Sequence, residues 1–390
     1  MRSYFDPTLI PKMMHMSLLS IAVLLTIIPA SVYLVYLVGA FTTKNPPVKK
    51  LESLPVVSVV IPAYNEESGI ADRISNLASV YPVEKLEIIV SNDGSQDRTE
   101  EVAKAALQKH SIKGKVITHE RSGVNKAINR GIENSSNELV VITGADGLFD
   151  ENTIPDLLSV LLSSDDIGAV SGDLIPVAKG ESVFSNSESA YRSIYGRMCT
   201  WESKIHSTFC FNGPVVAFKK EASSSLNTRR GADDASMALS VIKKGYRCQY
   251  VPSAKFYEYV PDKFYEQRRQ KIRRATRLLE ATFVNRDALS PKFGKFGTFV
   301  FPLRILLFFV VPTMFFLSLL VWFFYLATLN IVYSVTFLLA IFAFILIGGV
   351  VPNVFSSFII YQSYLFLGFF NMLRDVHVWE PTERVKITNK

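Results

Sequence analysis

Residues 56–67 read VVSVVIPAYNEE, and residues 86–97 read LEIIVSNDGSQD. In each, a short aliphatic run stops abruptly at a cluster of turn-forming, polar and acidic residues. Unbroken apolar runs of this length fit strands buried on both faces, as in a parallel sheet covered by helices. Residues 139–147, LVVITGADG, repeat the pattern. Strands at Val56–Ile61, Leu86–Val90, Lys115–Thr118 and Leu139–Ile142 alternate with helical patterns over 66–80, Thr99–Lys109 and Asn125–Glu133. This alternation predicts an α/β domain with a mainly parallel sheet over residues 55–260.

Ligand sites in such a sheet lie beyond the carboxyl ends of its strands. The polar clusters Pro62–Glu67, Ser91–Asp97 and Thr143–Gly147 fall there. Any one of them has a plain structural explanation, because Asp and Asn open turns and Ser95 or Asp97 could cap the next helix. Three at one edge predict a site for a nucleotide diphosphate, whose base and ribose offer donors to carboxylates. Mg²⁺ or Mn²⁺ bridges phosphate oxygens through only one or two protein carboxylates. Asp146 is the expected ligand, the ion acting as a Lewis acid toward the leaving diphosphate.

Residues 230–235, RGADDA, precede an apolar helical pattern. Asp233 or Asp234 could cap that helix. Alternatively Asp234 is a general base toward an acceptor hydroxyl, with Asp233 beside it so that one carboxyl of the pair titrates higher. In QRRQKIRRATR, residues 267–277, Gln270, Arg273, Arg274 and Arg277 recur at i, i+3, i+4 and i+7 and share a helix face. Such a face could meet a diphosphate, or lie on anionic headgroups.

Hydrophobic residues make up 49% of the 390-residue chain and aromatic ones 12%, more than a soluble enzyme of this size needs. The excess sits at the two ends. Leu18–Phe41 is uncharged for 24 residues, enough to cross a hydrocarbon core. It is too long for a signal-peptide core and lacks a small-residue cleavage site. Phe296–Phe370 is apolar with Arg304 its one charge, room for segments near 299–326, 330–350 and 352–372, punctuated by Pro302, Pro312 and Pro352.

The net charge of +7 does not imply nucleic acid, because the cations flank the apolar tracts. Lys44, Lys49 and Lys50 follow the first; Lys263, Arg268, Arg269, Lys271, Arg273, Arg274 and Arg277 precede the second. Positive flanks face the cytoplasm, so the chain reads as a multi-pass cell-membrane protein with its polar domain in the cytosol. Cys199, Cys210 and Cys248 lack metal-ligand spacing, and no disulfide is expected there. The expected divisions are an N-terminal tail 1–16, a membrane helix 17–41, a linker 42–54, the catalytic domain 55–260, basic interfacial amphipathic helices 261–297, a membrane region 298–372 and a C-terminal tail 373–390.

From about Val56 to Arg277 the motif set resembles the membrane-integrated family 2 glycosyltransferases: the hyaluronan, chitin and cellulose synthases, poly-N-acetylglucosamine synthases and ceramide glucosyltransferase. The resemblance implies an A-type nucleotide-sugar-binding fold, a divalent metal and inversion at the sugar carbon. The family's P-x-Y-N-E matches Pro62, Tyr64, Asn65 and Glu66, implying a nucleoside wall. D-G-S-x-D matches Asp93, Gly94, Ser95 and Asp97, with Asp93 on the base. Asp146 corresponds to the second aspartate of D-x-D, and Asp233-Asp234 to the family's E-D, implying that Asp234 is the base. Asn212-Gly213-Pro214 resembles the turn on the acceptor side, and Gln270, Arg273 and Arg274 fall on Q-x-x-R-W. Trp379–Arg384 is similar to a tail that returns to the site in some members.

The sequence departs from the family at Gly144, where the first aspartate of D-x-D is usual, and at Arg274, where polymer-making members carry tryptophan. Residues 122–129 follow the lysine-containing loop only loosely. The expected reaction is transfer from a nucleotide sugar, a UDP-sugar foremost, to a lipid-linked or growing glycan acceptor at the membrane lipids. A processive polysaccharide synthase is the alternative, and an inactive scaffold homologue is a reading of another class.

Overall fold

The computed structural model describes the backbone of residues 9–177, 183–227, 233–259, 264–350 and 354–374. At its centre is an eight-stranded sheet formed by β1 (Val57–Ala63), β2 (Leu86–Asn92), β3 (Lys113–Thr118), β4 (Leu139–Ile142), β5 (Gly147–Phe149), β6 (Ile167–Val177), β7 (Val216–Lys219) and β8 (Arg247–Tyr259). The spatial order is β3-β2-β1-β4-β7-β6-β8-β5. The expected parallel half is present: β1 pairs with β2 and with β4, and β2 with β3. The other half is mixed, because β7 runs antiparallel to both β4 and β6, and β5 antiparallel to β8. The expectation of a mainly parallel sheet therefore holds for one half only. The strand VAFK at β7 is too short to announce its direction through periodicity.

β2 and β3 lie to one side of β1 and β4 to the other, so the crossovers part between β1 and β4. An open α/β sheet leaves a crevice at that point. The strands on either side, β1 and β4, are almost wholly buried, since helices cover both faces. The helices of the domain are α1 (Leu9–Thr42), α2 (Ile70–Val80), α3 (Thr99–Lys109), α4 (Val124–Glu133), α5 (Thr153–Leu161), α6 (Val183–Ile205), α7 (Asp233–Lys243) and α8 (Phe264–Val284). On one face Ile61, Val90 and Val141 pack with Ile74, Leu107 and Leu157 from α2, α3 and α5. On the other, Val60, Ile89 and Phe218 share a core with Ile128, Leu239, Tyr36 of α1 and Phe296, Phe301 and Phe308. The domain core thus runs without a break into the apolar helices.

Met13–Thr42, within α1, and Phe296–Leu329 are long and apolar enough to cross a membrane. Helices Ile331–Val350 and Val354–Leu373 complete the C-terminal tract. The Phe296–Leu329 helix passes through Pro302 and Pro312 without ending, because wider π-type turns at Phe296–Val300 and Leu306–Val310 precede each ring. Such turns relieve the clash of a proline with the preceding turn's carbonyl. The basic segment 267–277 lies on α8, which packs closely on the last helix: a Cβ on Gly368 would stand 3.2 Å from the Cβ of Ala275.

Candidate active site

The three polar turns meet at the carboxyl edge of the parallel half. Asp93 donates its backbone N–H to the Ala63 carbonyl at 2.8 Å, and Thr143 donates to that of Val60 at 3.1 Å. The first two turns are stitched together. Asn65 N–H donates to Ser95 Oγ at 3.0 Å, Gln96 N–H to Asn65 Oδ1 at 2.9 Å, and Glu67 N–H to Asp97 Oδ2 at 3.1 Å. Asp97 Oδ1 also accepts from the backbone of Thr99 at 3.0 Å. Ser95 and Asp97 therefore brace the Pro62–Glu67 loop through its backbone. Glu66, in the turn that leads into α2, is buried, its own N–H bonded to Thr99 Oγ1 at 2.8 Å.

Asp93 is buried and heavily engaged. It accepts from Ser122 N–H and Gly123 N–H, both at 2.8 Å, and from the Arg121 guanidinium at 2.5 Å. The same guanidinium lies over the Tyr64 ring, 3.3 Å from its centroid. Pro62 ends the buried run of β1 just before this ring. Gly94 has φ +72°, and a Cβ there would meet Arg121 N at 2.8 Å, so loop 119–123 can close on Asp93 only because residue 94 has no side chain. Aromatic ring, carboxylate and guanidinium thus share one wall of the crevice. Sequence reasoning missed Arg121, which stands just before residues 122–129, the segment that follows the family pattern loosely.

The third turn carries Asp146. A Cβ on Gly144 would come within 2.5 Å of Asp146 Oδ1 and 3.7 Å of Pro214 Cβ. The aspartate side chain fills the space a residue at 144 would need. Asp146 reaches solvent only partly; burial pushes its carboxyl up to about 6, the Glu258 charge adds to this, and Arg274 and Arg73 oppose it. Glu258 stands on β8 opposite Gly147 and accepts from Arg274 at 2.6 Å. Arg274, expected near the diphosphate, is therefore held beside the Asp146 turn by a carboxylate that the sequence reading passed over. Gln270 and Arg273, within a turn of it on α8, are half-buried.

Arg73 lies beneath this turn and was also missed. It is fully buried, donating to Thr143 Oγ1 at 2.7 Å and to the Gly147 carbonyl at 3.2 Å, with its guanidinium 4.0 Å from the Phe149 centroid. Its sequence signal was positional: Ile70, Arg73, Ile74 and Leu77 form the buried stripe of α2, where a cation needs a reason.

Asp234 stands at the start of α7. Its Oδ2 accepts from Gly213 N–H at 3.0 Å and its Oδ1 from Ala235 N–H at 2.7 Å. The second bond goes to the next residue's N–H within the first turn of α7 and is not the N-cap bond the sequence allowed; the first ties Asp234 to the Asn212-Gly213-Pro214 turn. Asn212 is buried, its Nδ2 donating to the Gly172 carbonyl at 2.8 Å and its Oδ1 accepting from Arg192 at 2.9 Å. Pro214 in turn faces Gly144. One turn of chain therefore connects Asp234 to the Asp146 loop. Trp379 lies outside the described residues, as does the side chain of Asp233.

Among the described residues no group of three or more His, Cys, Asp or Glu gathers as a metal cage. The donor set is Asp146 with the Glu258 charge close by. Hard carboxylate oxygens in that number suit Mg²⁺ or Mn²⁺, which complete their shells with phosphate and water. The raised Asp146 carboxyl marks negative charge that a cation would offset.

Residues 58–221 match the family model described as glycosyl transferase family 2. The chain is 26% identical over 235 residues to the probable glycosyltransferase YdaM of Bacillus subtilis (strain 168), covering 58% of this chain and 56% of that protein. It is 26% identical over 271 residues to the poly-beta-1,6-N-acetyl-D-glucosamine synthase of Staphylococcus aureus (strain COL), covering 69% and 64%. The matches thus span less than two thirds of these relatives' length. Among solved structures, the mannosyltransferase PcManGT from Pyrobaculum calidifontis, in complex with GDP-Man and Mn²⁺, superposes with a TM-score of 0.77 at 25% identity, covering 92% of this chain and 100% of that one.

Proposed function

We propose that this glycosyltransferase, built on a family 2 domain, transfers a hexose with inversion from a nucleotide sugar to a lipid-linked or growing glycan acceptor at the cytosolic face of a membrane. The observation that carries the reading is the Gly213–Pro214 turn, which bonds the base candidate Asp234 on one side and abuts the Asp146 loop on the other. A base and a diphosphate-binding carboxylate set on opposite sides of one turn suit a single displacement.

In that displacement Asp234 takes the proton of the acceptor hydroxyl as its oxygen bonds to the anomeric carbon. The bond from that carbon to the diphosphate oxygen breaks, and the nucleoside diphosphate leaves with the electron pair. Asp146, with Glu258 nearby, would hold a divalent cation, which supplies Lewis acidity to the leaving diphosphate. Arg274 adds positive charge on the same side, and Arg73 keeps the turn in place from below. Tyr64, Asp93 and Arg121 form the wall against the base. The apolar helices Met13–Thr42 and Phe296–Leu329 support anchoring in a bilayer, where a lipid acceptor is delivered.

The UDP-sugars expected from the motif resemblance and the GDP-mannose carried by PcManGT are the donors to try first. Nucleoside diphosphate release by detergent-solubilised protein should need Mg²⁺ or Mn²⁺ and native lipid. It should be lost in Asp146→Ala and Asp234→Asn while Asp234→Asn still binds nucleotide. Undiminished turnover by Asp234→Asn would remove it as base, and silence from every donor would favour a scaffold role. A processive synthase is the second reading, favoured by the poly-N-acetylglucosamine synthase relatives. Against it, the position of the family tryptophan is occupied by Arg274, engaged with Glu258. Product length on a gel separates the two.

A further inference from the structure

The turn that carries Gly213 is held from Asn212, which is bonded through backbone and side chain alike. The Asn212 N–H donates to Ser171 Oγ at 2.8 Å, and its carbonyl accepts from Val215 N–H at 3.0 Å. Its Nδ2 donates to the Gly172 carbonyl at 2.8 Å. Gly172 sits where β6 slips against β8: it pairs with Val251, and the next residue, Asp173, with Lys255. A Cβ at 172 would stand 2.3 Å from the Ala254 carbonyl oxygen and 2.6 Å from Val215 Cγ2, so the close approach of these strands needs glycine. Such irregularities re-aim side chains beside active sites, and here the residue beyond the slip is a carboxylate.

Asp173 accepts from the Tyr250 hydroxyl at 2.6 Å, and the same hydroxyl oxygen lies 3.3 Å from Asn212 Nδ2. The direction of these bonds is forced. The Gly172 carbonyl can only accept, so the amide turns its nitrogen that way and offers its second N–H to Tyr250. The hydroxyl must then present a lone pair to the amide and spend its proton on Asp173. Tyr250 is buried, and α6 packs on the pair at Gly196, where a Cβ would stand 3.4 Å from Tyr250 Oη and 3.7 Å from Asp173 Oδ1. Filling the space would need only phenylalanine; burying a hydroxyl is costly unless its bonds are made, and these bonds lead to the turn that holds Asp234. We infer that Tyr250, oriented by Asp173, is a positioning residue for the acceptor-side base: it fixes the Asn212 amide, and through it the Gly213 N–H that locates Asp234. The inference rests on the reading of Asp234 as that base.

The test is Tyr250→Phe in the full-length protein, with nucleoside diphosphate release from GDP-mannose and UDP-sugars followed in detergent with native lipid. The variant keeps the ring and loses the hydroxyl, and the thermal midpoint verifies its fold. Its kcat should fall about tenfold while the donor KM and Mn²⁺-dependent binding of UDP or GDP stay within about twofold, because a displaced base slows transfer and spares the donor side. Asp173→Ala should lose as much. Asp173→Asn, whose amide oxygen still accepts from the hydroxyl, should keep most of kcat, and this pair carries the test without altering the buried ring. A merely structural role would not separate kcat from nucleotide binding, nor asparagine from alanine at position 173. Unchanged kcat in folded Tyr250→Phe overturns the inference, as does a fall that nucleotide binding shares. Asp234→Asn separates the two levels. If it matches the wild type, or the wild type turns over no donor, the base reading falls and takes the inference with it. If Asp234→Asn is silent while Tyr250→Phe is unimpaired, only the positioning role falls.

Discussion

Arg304, the one charged residue of the C-terminal apolar tract, is buried against Glu202 of α6, with Nη2 3.0 Å from Oε2 and Nε bonded to Oε1. Both side chains are 1% exposed. The Tyr36 hydroxyl of α1 donates to the same carboxylate at 2.8 Å, and Thr208 Oγ1 at 2.6 Å. Four donors from three parts of the chain thus converge on one carboxylate. Apolar packing alone would let α1 and the Phe296–Leu329 helix slide along α6. A buried ion pair with every oxygen engaged holds one register.

Breaking this pair should be far worse than replacing it. Arg304→Met leaves the Glu202 charge buried and should cost about 3–5 kcal/mol, whereas the double replacement Glu202→Leu with Arg304→Met should recover most of that loss. Thermal unfolding in detergent reads both. A single variant that melts with the wild type would show that the clasp does not bear on stability.

The parallel half of the fold and the meeting of the polar turns at its edge were legible in the sequence because each strand announced itself twice, by an apolar run and by the polar turn at its end. Asp93 and Asp146 could be placed in this way, and Asp234 by the apolar helical pattern that follows RGADDA, before any side chain was seen. Their partners could not. Glu258 lies 112 positions from Asp146 in the chain and reaches it only through the β5–β8 pairing, which a three-residue strand does not signal. Arg121 and Arg73 each looked like an ordinary basic residue until the fold placed one on Tyr64 and the other under Thr143. Arg304 was visible as a lone charge, but its partner lay in another element.

Gly144 is not a defect to be repaired. Restoring the family's first aspartate by Gly144→Asp puts a Cβ where Asp146 Oδ1 now lies, 2.5 Å away, and next to Pro214. Asp146 must then rotate or the turn must open. Mn²⁺ affinity, followed by the electron-spin resonance of the free ion, should fall by about tenfold, the loss expected when the support of a ligand is disturbed. Tighter binding in the variant would mean that the turn has room for both carboxylates.

The pH dependence of metal binding should report Asp146. Its carboxyl titrates at about 6, raised by burial and next by Glu258, and a metal needs it ionised. Mn²⁺ affinity should therefore be level above neutrality and decline as pH falls through this value, by up to about tenfold per pH unit. Glu258→Gln removes a negative neighbour and releases Arg274, and both changes favour the ionised form. Its midpoint should move to lower pH. A midpoint that stays in place would show that the Glu258 charge does not reach Asp146.

Arg73 should act through the Asp146 turn and not on substrate. Burial brings its guanidinium down to about 9, still cationic at neutral pH, and the Asp146 charge works against that fall. It holds Thr143 before the aspartate and Gly147 after it, a span that the single ammonium of lysine cannot fork across. Arg73→Lys should keep the electrostatics and loosen the turn, so that Mn²⁺ affinity drops about tenfold with little change in its pH midpoint. Arg73→Met removes the charge as well, so the Asp146 carboxyl should rise and the pH midpoint of Mn²⁺ binding with it. Loss of packing alone would lower the melting temperature in both variants and leave that midpoint where it was. The difference between lysine and methionine at position 73 therefore separates a positioning cation from a buried filler.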